Sequence, residues 1–279
     1  MENRNRLPMR RIILTTLMAI FCLPLPLQAM SLQGNLVQGG MAIGKIDPGT
    51  TVIFQGNPVR VSPEGLFVVG FSRDAEPESA IELQAPSGTV ERQPVRIQKR
   101  TYHIQRIQGL PPRKVSPSPE DLDRIGKEIA LVKKIRTRDD PRNDFAQPFI
   151  WPVVGRISGV YGSQRILNGK PKSPHYGIDI AAPTGTPVKA PADGVVSLTH
   201  DDMFYSGGTL ILDHGHGLST SYLHLHQILV EAGQRVKQGD IIARVGATGR
   251  VTGPHLHWGM NWFDIRLDPS LMVPPMPQM

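Results

Sequence analysis

Cysteine is almost absent from this sequence of 279 residues, which contains only Cys22. Cys22 lies in an N-terminal segment that is predicted to be removed, so the remaining chain is expected to form no disulfide bond and to use no thiol chemistry. No run of basic residues is interleaved with aromatics, and nothing therefore favours nucleic-acid binding. The apolar run at residues 12–23 is too short for a membrane span and is followed by Pro24 and Pro26.

Residues 1–29 have the pattern of a signal peptide. Basic residues at positions 4–11 precede the apolar run, and residues 27–29 (Leu-Gln-Ala) form a cleavage site. An uncleaved anchor is the alternative, whereas bulky Phe21 before Cys22 argues against a lipoprotein. Removing four arginines and one glutamate with this segment lowers the formal net charge from +7 to +4. We expect an exported protein, with no transmembrane segment in its mature form.

The rest of the chain divides into three parts. Residues 30–108 hold short β-like segments between glycine and proline turns, which predicts a small β-sandwich without catalytic residues. Residues 109–148 form a proline-rich linker with one helix, whose start is marked by Ser118 as N-cap and Pro119 at the first position. Residues 149–279 are rich in glycine and β-like runs. The predicted fold class is therefore mainly β.

An internal repeat lies in the third part. The sequence Gly-Thr-Pro-Val-Lys at 185–189 resembles Gly-Gln-Arg-Val-Lys at 233–237, and each copy precedes a turn and a further β-like run. This predicts two related hairpins folded over one another. Biotinyl- and lipoyl-carrier domains share such a pattern, but they present a modifiable lysine at a hairpin tip, typically beside methionine, and the sequence has no such tip.

Five of the nine histidines lie in three short segments, at 175–180, 222–226 and 255–260. Each segment reads as a β-strand that buries one face and offers imidazole or carboxylate on the other. These polar faces carry His175 and Asp179, then His224 and His226, then His255 and His257. Imidazole and carboxylate are zinc ligands, and a catalytic zinc needs three protein ligands and an open position. The pattern predicts a metal site, although spacing alone leaves open whether His255 is a ligand.

The three segments resemble the lysostaphin-type zinc endopeptidases of bacterial cell walls. The patterns His-x-x-x-Asp at 175–179, Tyr-Leu-His-Leu at 222–225 and His-x-His at 255–257 occur in that family's order, within a resemblance that covers about residues 151–269. The resemblance implies an antiparallel β-sheet peptidase domain with an open groove. It also implies hydrolysis of the peptide cross-links of peptidoglycan.

The same resemblance implies a role for each residue. One zinc ion per chain would be bound by His175, Asp179 and His257. The catalytic residues beside the water would be His224 and His255, one taking up its proton and the other stabilising the oxyanion or protonating the leaving amine. Some members place a tyrosine in the loop before the first ligand, and residues 168–174 lack one here.

Two further residues are candidates for contact with substrate. Tyr205 lies in a loop flanked by glycine and His226 shares a predicted face with His224, although packing and surface roles are the alternatives. His214 and His216 fall in a Gly-rich sequence that reads as a hairpin turn.

The leading hypothesis is a periplasmic endopeptidase acting on peptidoglycan, at the D-alanyl–diaminopimelyl cross-link. One alternative is a non-catalytic regulator that activates other wall hydrolases, which the intact set of five residues argues against. The other is a secreted metallopeptidase that acts on proteins. Residues 30–108 are expected to bind a regulatory protein partner, to position substrate, or to cover the groove together with the linker helix as an inhibitory lid.

Overall fold

A computed structural model describes residues 30–277 of the chain. Within this range the protein forms twenty β-strands and two α-helices, which confirms the prediction of a mainly β fold. The predicted signal peptide at residues 1–29, including Cys22, lies outside the described residues. Across the part that is described, no helix is long and apolar enough to span a membrane.

Residues 31–96 form two small antiparallel sheets. The strands are β1 (Ser31–Gly34), β2 (Met41–Lys45), β3 (Thr51–Phe54), β4 (Asn57–Val59), β5 (Leu66–Gly70), β6 (Glu78–Gln84) and β7 (Val90–Arg96). One sheet has the order β1-β2-β5 and the other the order β4-β3-β6-β7. Their inward side chains alternate with outward ones, as Ile81 and Leu83 do on β6.

The core of these two sheets continues into the C-terminal part of the chain. Phe54 and Phe67 belong to the same buried cluster as Trp262 and Leu267. The rings of Phe54 and Trp262 have centroids 6.1 Å apart. Residues 30–108 are therefore joined to the C-terminal sheet by a shared apolar core, and removing them would expose buried side chains of that sheet.

The linker contains the helix that the sequence predicts. Its elements are β8 (Ile104–Ile107), a single turn α1 (Pro112–Val115) and α2 (Pro119–Ile135). Ser118 caps α2 in a reciprocal capping box, because its hydroxyl accepts from the Asp121 amide and the Asp121 carboxylate accepts from the Ser118 amide. The far end of α2 packs Val132 and Ile135 against the C-terminal sheet.

Strand β8 pairs in parallel with β10 (Gln164–Leu167), and β10 pairs with β11 (Lys170–Pro171), so the linker adds a third small sheet. One turn of 3₁₀ helix follows at Asp144–Ala146 and another at Pro269–Met272.

The C-terminal part is one ten-stranded antiparallel sheet. Its strands are β9 (Arg156–Gly159), β12 (Ile178–Ala181), β13 (Pro187–Lys189), β14 (Gly194–Met203), β15 (Gly207–Asp213), β16 (Leu218–Ile228), β17 (Arg235–Val236), β18 (Ile241–Val245), β19 (His255–Trp262) and β20 (Ile265–Leu267). The main path has the order β17-β14-β15-β16-β19-β12-β9, while β13 pairs with β18, β18 with β16, and β20 with β19.

The internal repeat corresponds to two interleaved units. Strands β13 and β14 form the first and strands β17 and β18 the second, but β13 pairs with β18 and β17 pairs with β14. Each unit begins with a glycine of positive φ, Gly185 at 92° and Gly233 at 91°, a conformation that residues with a side chain rarely adopt. The two copies thus occupy equivalent positions in a pair of units that exchange strands.

The two faces of the sheet differ in character around β12, β16 and β19. One face buries Ile178, Tyr222, Leu256 and Trp258 in a continuous apolar core. The opposite face of β19 carries His255 and the other polar residues of the alternating pattern. Side chains that can bind a metal or transfer a proton therefore lie on the open side of a rigid sheet.

Candidate metal centre and active site

Three ligand atoms converge on the open face of the sheet. His175 Nε2 lies 3.0 Å from Asp179 Oδ1 and 2.9 Å from His257 Nδ1, and His257 Nδ1 lies 2.8 Å from Asp179 Oδ1. These are the residues of the described chain that could hold a metal ion. Two imidazole nitrogens that face each other and share one carboxylate oxygen form a donor set that suits zinc.

The sheet positions two of the three residues directly. Asp179 on β12 is the register partner of His257 on β19, so their side chains are cross-strand neighbours on one face. His175 was predicted to lie in the same strand as Asp179, but β12 begins only at Ile178 and His175 is in the preceding loop. Gly177 makes this approach possible, since a Cβ there would lie 2.6 Å from His257 Nε2.

Burial and pairing keep Asp179 and His257 in the protonation states that bind a metal. Burial raises the pKa of Asp179, but the close contacts with the His175 and His257 rings outweigh it and hold that pKa well below its usual range. Burial lowers the pKa of His257 to about 4 against the opposing effect of Asp179. At neutral pH the carboxylate is therefore ionised and the His257 ring neutral.

A second layer of contacts holds the ligands. His175 Nδ1 lies 3.2 Å from the Val160 carbonyl oxygen, which leaves Nε2 as the acceptor that faces the other ligands. Arg165 donates from Nη2 to Asp179 Oδ2 at 2.6 Å and from Nε to Gln105 Oε1 at 3.3 Å. Since Gln105 is on β8, the linker contacts the metal centre through Arg165.

His224 and His255 stand beside the three ligands. Their ring centroids are 4.8 Å apart, and His255 Nε2 lies 3.8 Å from Asp179 Oδ1. His224 Nδ1 contacts the Thr248 carbonyl oxygen and His255 Nδ1 the Gly253 carbonyl oxygen, each at 2.9 Å. Because a carbonyl only accepts, both rings carry their hydrogen on Nδ1 when neutral and have Nε2 available as an acceptor. Burial, followed by the charges of His255 and His257, lowers the pKa of His224 well below its usual value.

A bulge in β16 sets the position of His224. The residue has a positive φ of 64°, and the pairing of β15 with β16 shifts register beside it. The sequence predicts Leu223 and Leu225 on one apolar face, and this is wrong, because the bulge interrupts the alternation. Leu225 is buried in the core, whereas Leu223 faces the side of the sheet that carries His257.

A cavity of about 550 Å³ lies between helix α2 and this face of the sheet. We call it the α2 cavity. It is lined by Ile125, Ile129 and Arg136 from the helix side and by Tyr205, Leu223 and Arg266 from the sheet side. Its volume falls within the range of roughly 300–1,000 Å³ that is usual for ligand sites.

The remaining candidates occupy different environments. Tyr205 is half-buried, lines the α2 cavity and stacks under Arg250, whose Cζ lies 4.3 Å from the ring centroid. His226 is exposed and, within residues 30–277, makes no side-chain hydrogen bond or ring contact with the metal centre. His214 and His216 lie in the turn between β15 and β16 as predicted, and both are buried.

Comparison with known proteins agrees with this geometry. The model of peptidase family M23 matches residues 173–269. A crystal structure from Pseudomonas aeruginosa, of a protein assigned to peptidase M23, is 34% identical and covers 86% of this chain and 95% of its own, with a TM-score of 0.66. The chain belongs to peptidase family M23. M23 is the lysostaphin-type family, so the resemblance found in the sequence is confirmed.

Curated relatives of this M23 chain include two proteins of Vibrio cholerae. Peptidoglycan DD-endopeptidase ShyA is 49% identical over 37% of this chain and 24% of its own length. Peptidoglycan DD-endopeptidase ShyC is 40% identical over 44% of this chain and 28% of its own length. The matched region therefore spans about a quarter of these relatives.

Proposed function

We propose that the protein is a zinc endopeptidase that hydrolyses peptide cross-links of bacterial peptidoglycan. The observation that carries this proposal is the convergence of His175 Nε2, Asp179 Oδ1 and His257 Nδ1 within 3.0 Å of one another, with two further imidazoles beside them. The substrate follows from the relatives, which are named peptidoglycan DD-endopeptidases.

His175, Asp179 and His257 would hold one zinc ion per chain. Zinc at this site supplies the positive charge that polarises a scissile carbonyl and lowers the pKa of water. His224 and His255 do the proton transfer, since each has its Nδ1 committed to a carbonyl and its Nε2 turned to accept. A proton accepted from water at one Nε2 can then be donated to the leaving amine nitrogen.

The finer parts of the proposal concern the cross-link and the compartment. The D-alanyl–diaminopimelyl bond is the proposed target, and the periplasm of a two-membrane bacterium is the proposed location. Tyr205 is proposed to contact substrate because it lines the α2 cavity. A regulatory partner for residues 30–108 remains a hypothesis.

Metal removal tests the proposal against both of its rivals. We expect the purified protein to hold one zinc per chain and to release new amino groups from purified peptidoglycan but not from casein. A chelator should abolish this release and added zinc should restore it, because the water needs the ion to ionise near neutral pH. Cleavage of casein alone would indicate a protein-directed peptidase. Cleavage of neither substrate by zinc-loaded protein would contradict the enzyme and favour a regulator.

Replacing Arg165 with methionine is expected to weaken zinc binding by about 10- to 100-fold, because the Asp179 carboxylate loses the charged donor that orients it. Competition with a chromogenic chelator measures this affinity.

The matched control is Arg156→Met, which removes an exposed arginine of β9 that forms no ion pair within residues 30–277. Equal zinc affinity in both variants and the unaltered protein would show that Arg165 does not support the ligand.

A further inference from the structure

Among the described residues, two arginine side chains face the α2 cavity without a hydrogen-bond acceptor or an ion-pair partner. Within the described range, neither Arg136 nor Arg266 donates a side-chain hydrogen bond or forms an ion pair, and the Arg136 Nε atom is buried with no acceptor. Arg136 is the C-cap residue that follows helix α2 and Arg266 lies on β20, so two separate elements bring them to one cavity. A buried guanidinium nitrogen normally has an acceptor, and the absence of one for Arg136 Nε within residues 30–277 requires an explanation.

The acidic neighbours do not neutralise this pair. Glu128 also lines the cavity, but its carboxylate accepts from Arg124 Nε and from the Phe204 amide, each at 2.8 Å. Asp264 is exposed and, in the part of the chain that is described, forms no ion pair with Arg266. The C-terminus of α2 favours a cation at Arg136, but that effect provides no acceptor for its side chain.

Burial disfavours the charged form of both arginines at the α2 cavity. Burial, followed by the charge of Arg266, lowers the pKa of Arg136 to about 9. Burial also lowers the pKa of Arg266. An anion placed between the two guanidinium groups would relieve both effects, because it would supply the missing charge and the missing acceptors.

The α2 cavity adjoins the metal centre on the same face of the sheet. Leu223, which lines it, is the register partner of His257. Arg266 is the register partner of Asn261 on β19, four residues beyond His257 and therefore on the same face. The Arg266 Cζ atom lies 5.8 Å from the ring centroid of Tyr176, the neighbour of His175 in sequence. A peptide at the metal centre can thus extend into this cavity.

We propose that Arg136 and Arg266 form a carboxylate-binding subsite for the substrate peptide. The guanidinium fork matches a carboxylate in two-point hydrogen bonding, and Ile125 and Ile129 provide an apolar wall for the attached alkyl chain. Diaminopimelate suits this site, because the carbon whose amino group forms the cross-link also bears a free carboxylate. The inference rests on the proposed function for the identity of the peptide.

Peptide binding to an inactive holoprotein tests the subsite without requiring turnover. Zinc-loaded His255→Ala protein would be titrated by calorimetry with a synthetic cross-linked stem-peptide dimer that has free carboxylates, and with the same dimer fully amidated. We expect the free acid to bind at least about tenfold more tightly, since a charged hydrogen bond is lost on amidation. Adding Arg136→Met or Arg266→Met should reduce binding of the free acid to the level of the amide.

The control is Lys134→Met, which removes one exposed positive charge from the same helix outside the cavity. It should preserve the preference for the free acid. Loss of that preference in Lys134→Met, or equal binding of both dimers by the parent protein, would overturn the proposal.

Thermal unfolding separates a ligand role from a structural one. Within residues 30–277 neither arginine has a hydrogen bond or ion pair to lose, and the contact of Arg266 with the Tyr176 ring is long at 5.8 Å. Arg136→Met and Arg266→Met should therefore melt close to or above the temperature of the parent protein. A markedly lower melting temperature would assign the arginines to the fold and overturn the subsite. If the unaltered enzyme cleaves no dimer but still prefers the free acid, the hydrolase proposal fails and the subsite stands.

Discussion

Replacing His257 with alanine is expected to eliminate both zinc binding and peptidoglycan cleavage. His257 Nδ1 is 2.8 Å from Asp179 Oδ1 and 2.9 Å from His175 Nε2, so its removal leaves two ligands where a catalytic zinc needs three. Zinc lowers the pKa of water to about 7, and without it almost no hydroxide forms at neutral pH. Amine release should therefore fall to the background of protein-free peptidoglycan.

Metal analysis after dialysis and an amine assay measure the two effects on the same sample. The matched control is His103→Ala, because His103 is exposed and lies outside the ligand cluster. Retention of a full equivalent of zinc by His257→Ala would show that the ion binds elsewhere.

Replacing His255 or His224 with alanine is expected to leave zinc bound while lowering kcat by about 10² to 10⁴. Both rings have Nδ1 committed to a carbonyl and Nε2 available as an acceptor, yet neither belongs to the set of three mutually close ligand atoms. The double variant should lose little more than the worse single variant, because groups that move the same proton act as a unit.

This pair of variants also tests the division between ligands and catalytic residues. His255 Nε2 is 3.8 Å from Asp179 Oδ1, farther than the 3.0 Å or less that separates the three ligand atoms. Zinc content and single-turnover cleavage of a cross-linked dimer measure binding and chemistry separately. Loss of zinc from His255→Ala would make His255 a ligand and refute the assignment.

Local sequence patterns predict most of the site because regular strands carry most of it. The alternation in residues 255–260 predicts which side chains of β19 are buried, and Leu256 and Trp258 are buried in the core. The start of α2 is also predicted from Ser118 and Pro119, because helix capping depends on residues that are close in sequence. Where the backbone departs from the regular pattern, the predictions fail, as at the loop that holds His175 and at the His224 bulge.

Features that depend on distant parts of the chain were not predictable. The pairing of the two repeats by strand exchange, the core shared by Phe54 and Trp262, and the meeting of Arg136 with Arg266 in one cavity all follow from tertiary packing. The apolar residues at positions 122, 125, 129 and 132 fall at helical spacing in the sequence and indicate an apolar stripe on α2. The sequence does not predict that this stripe borders a cavity instead of packing directly on the sheet. Periodicity indicates which face of a helix is apolar but not what that face contacts.

The shared core also affects how the inhibitory-lid hypothesis can be tested. A chain that begins near Phe149 would lack the side chains that cover Trp262 and Leu267, so its activity would report on folding as well as on access to the groove. Substitutions in α2 at positions that face the α2 cavity, such as Ile129, change the wall of that cavity and leave the shared apolar core intact.

Mass spectrometry of a defined cross-linked muropeptide dimer tests the central claim most directly. The zinc-loaded protein should convert the dimer into its two monomers with the addition of one water, and the zinc-free protein should leave it unchanged. An intact dimer after incubation with the zinc-loaded protein would contradict the account.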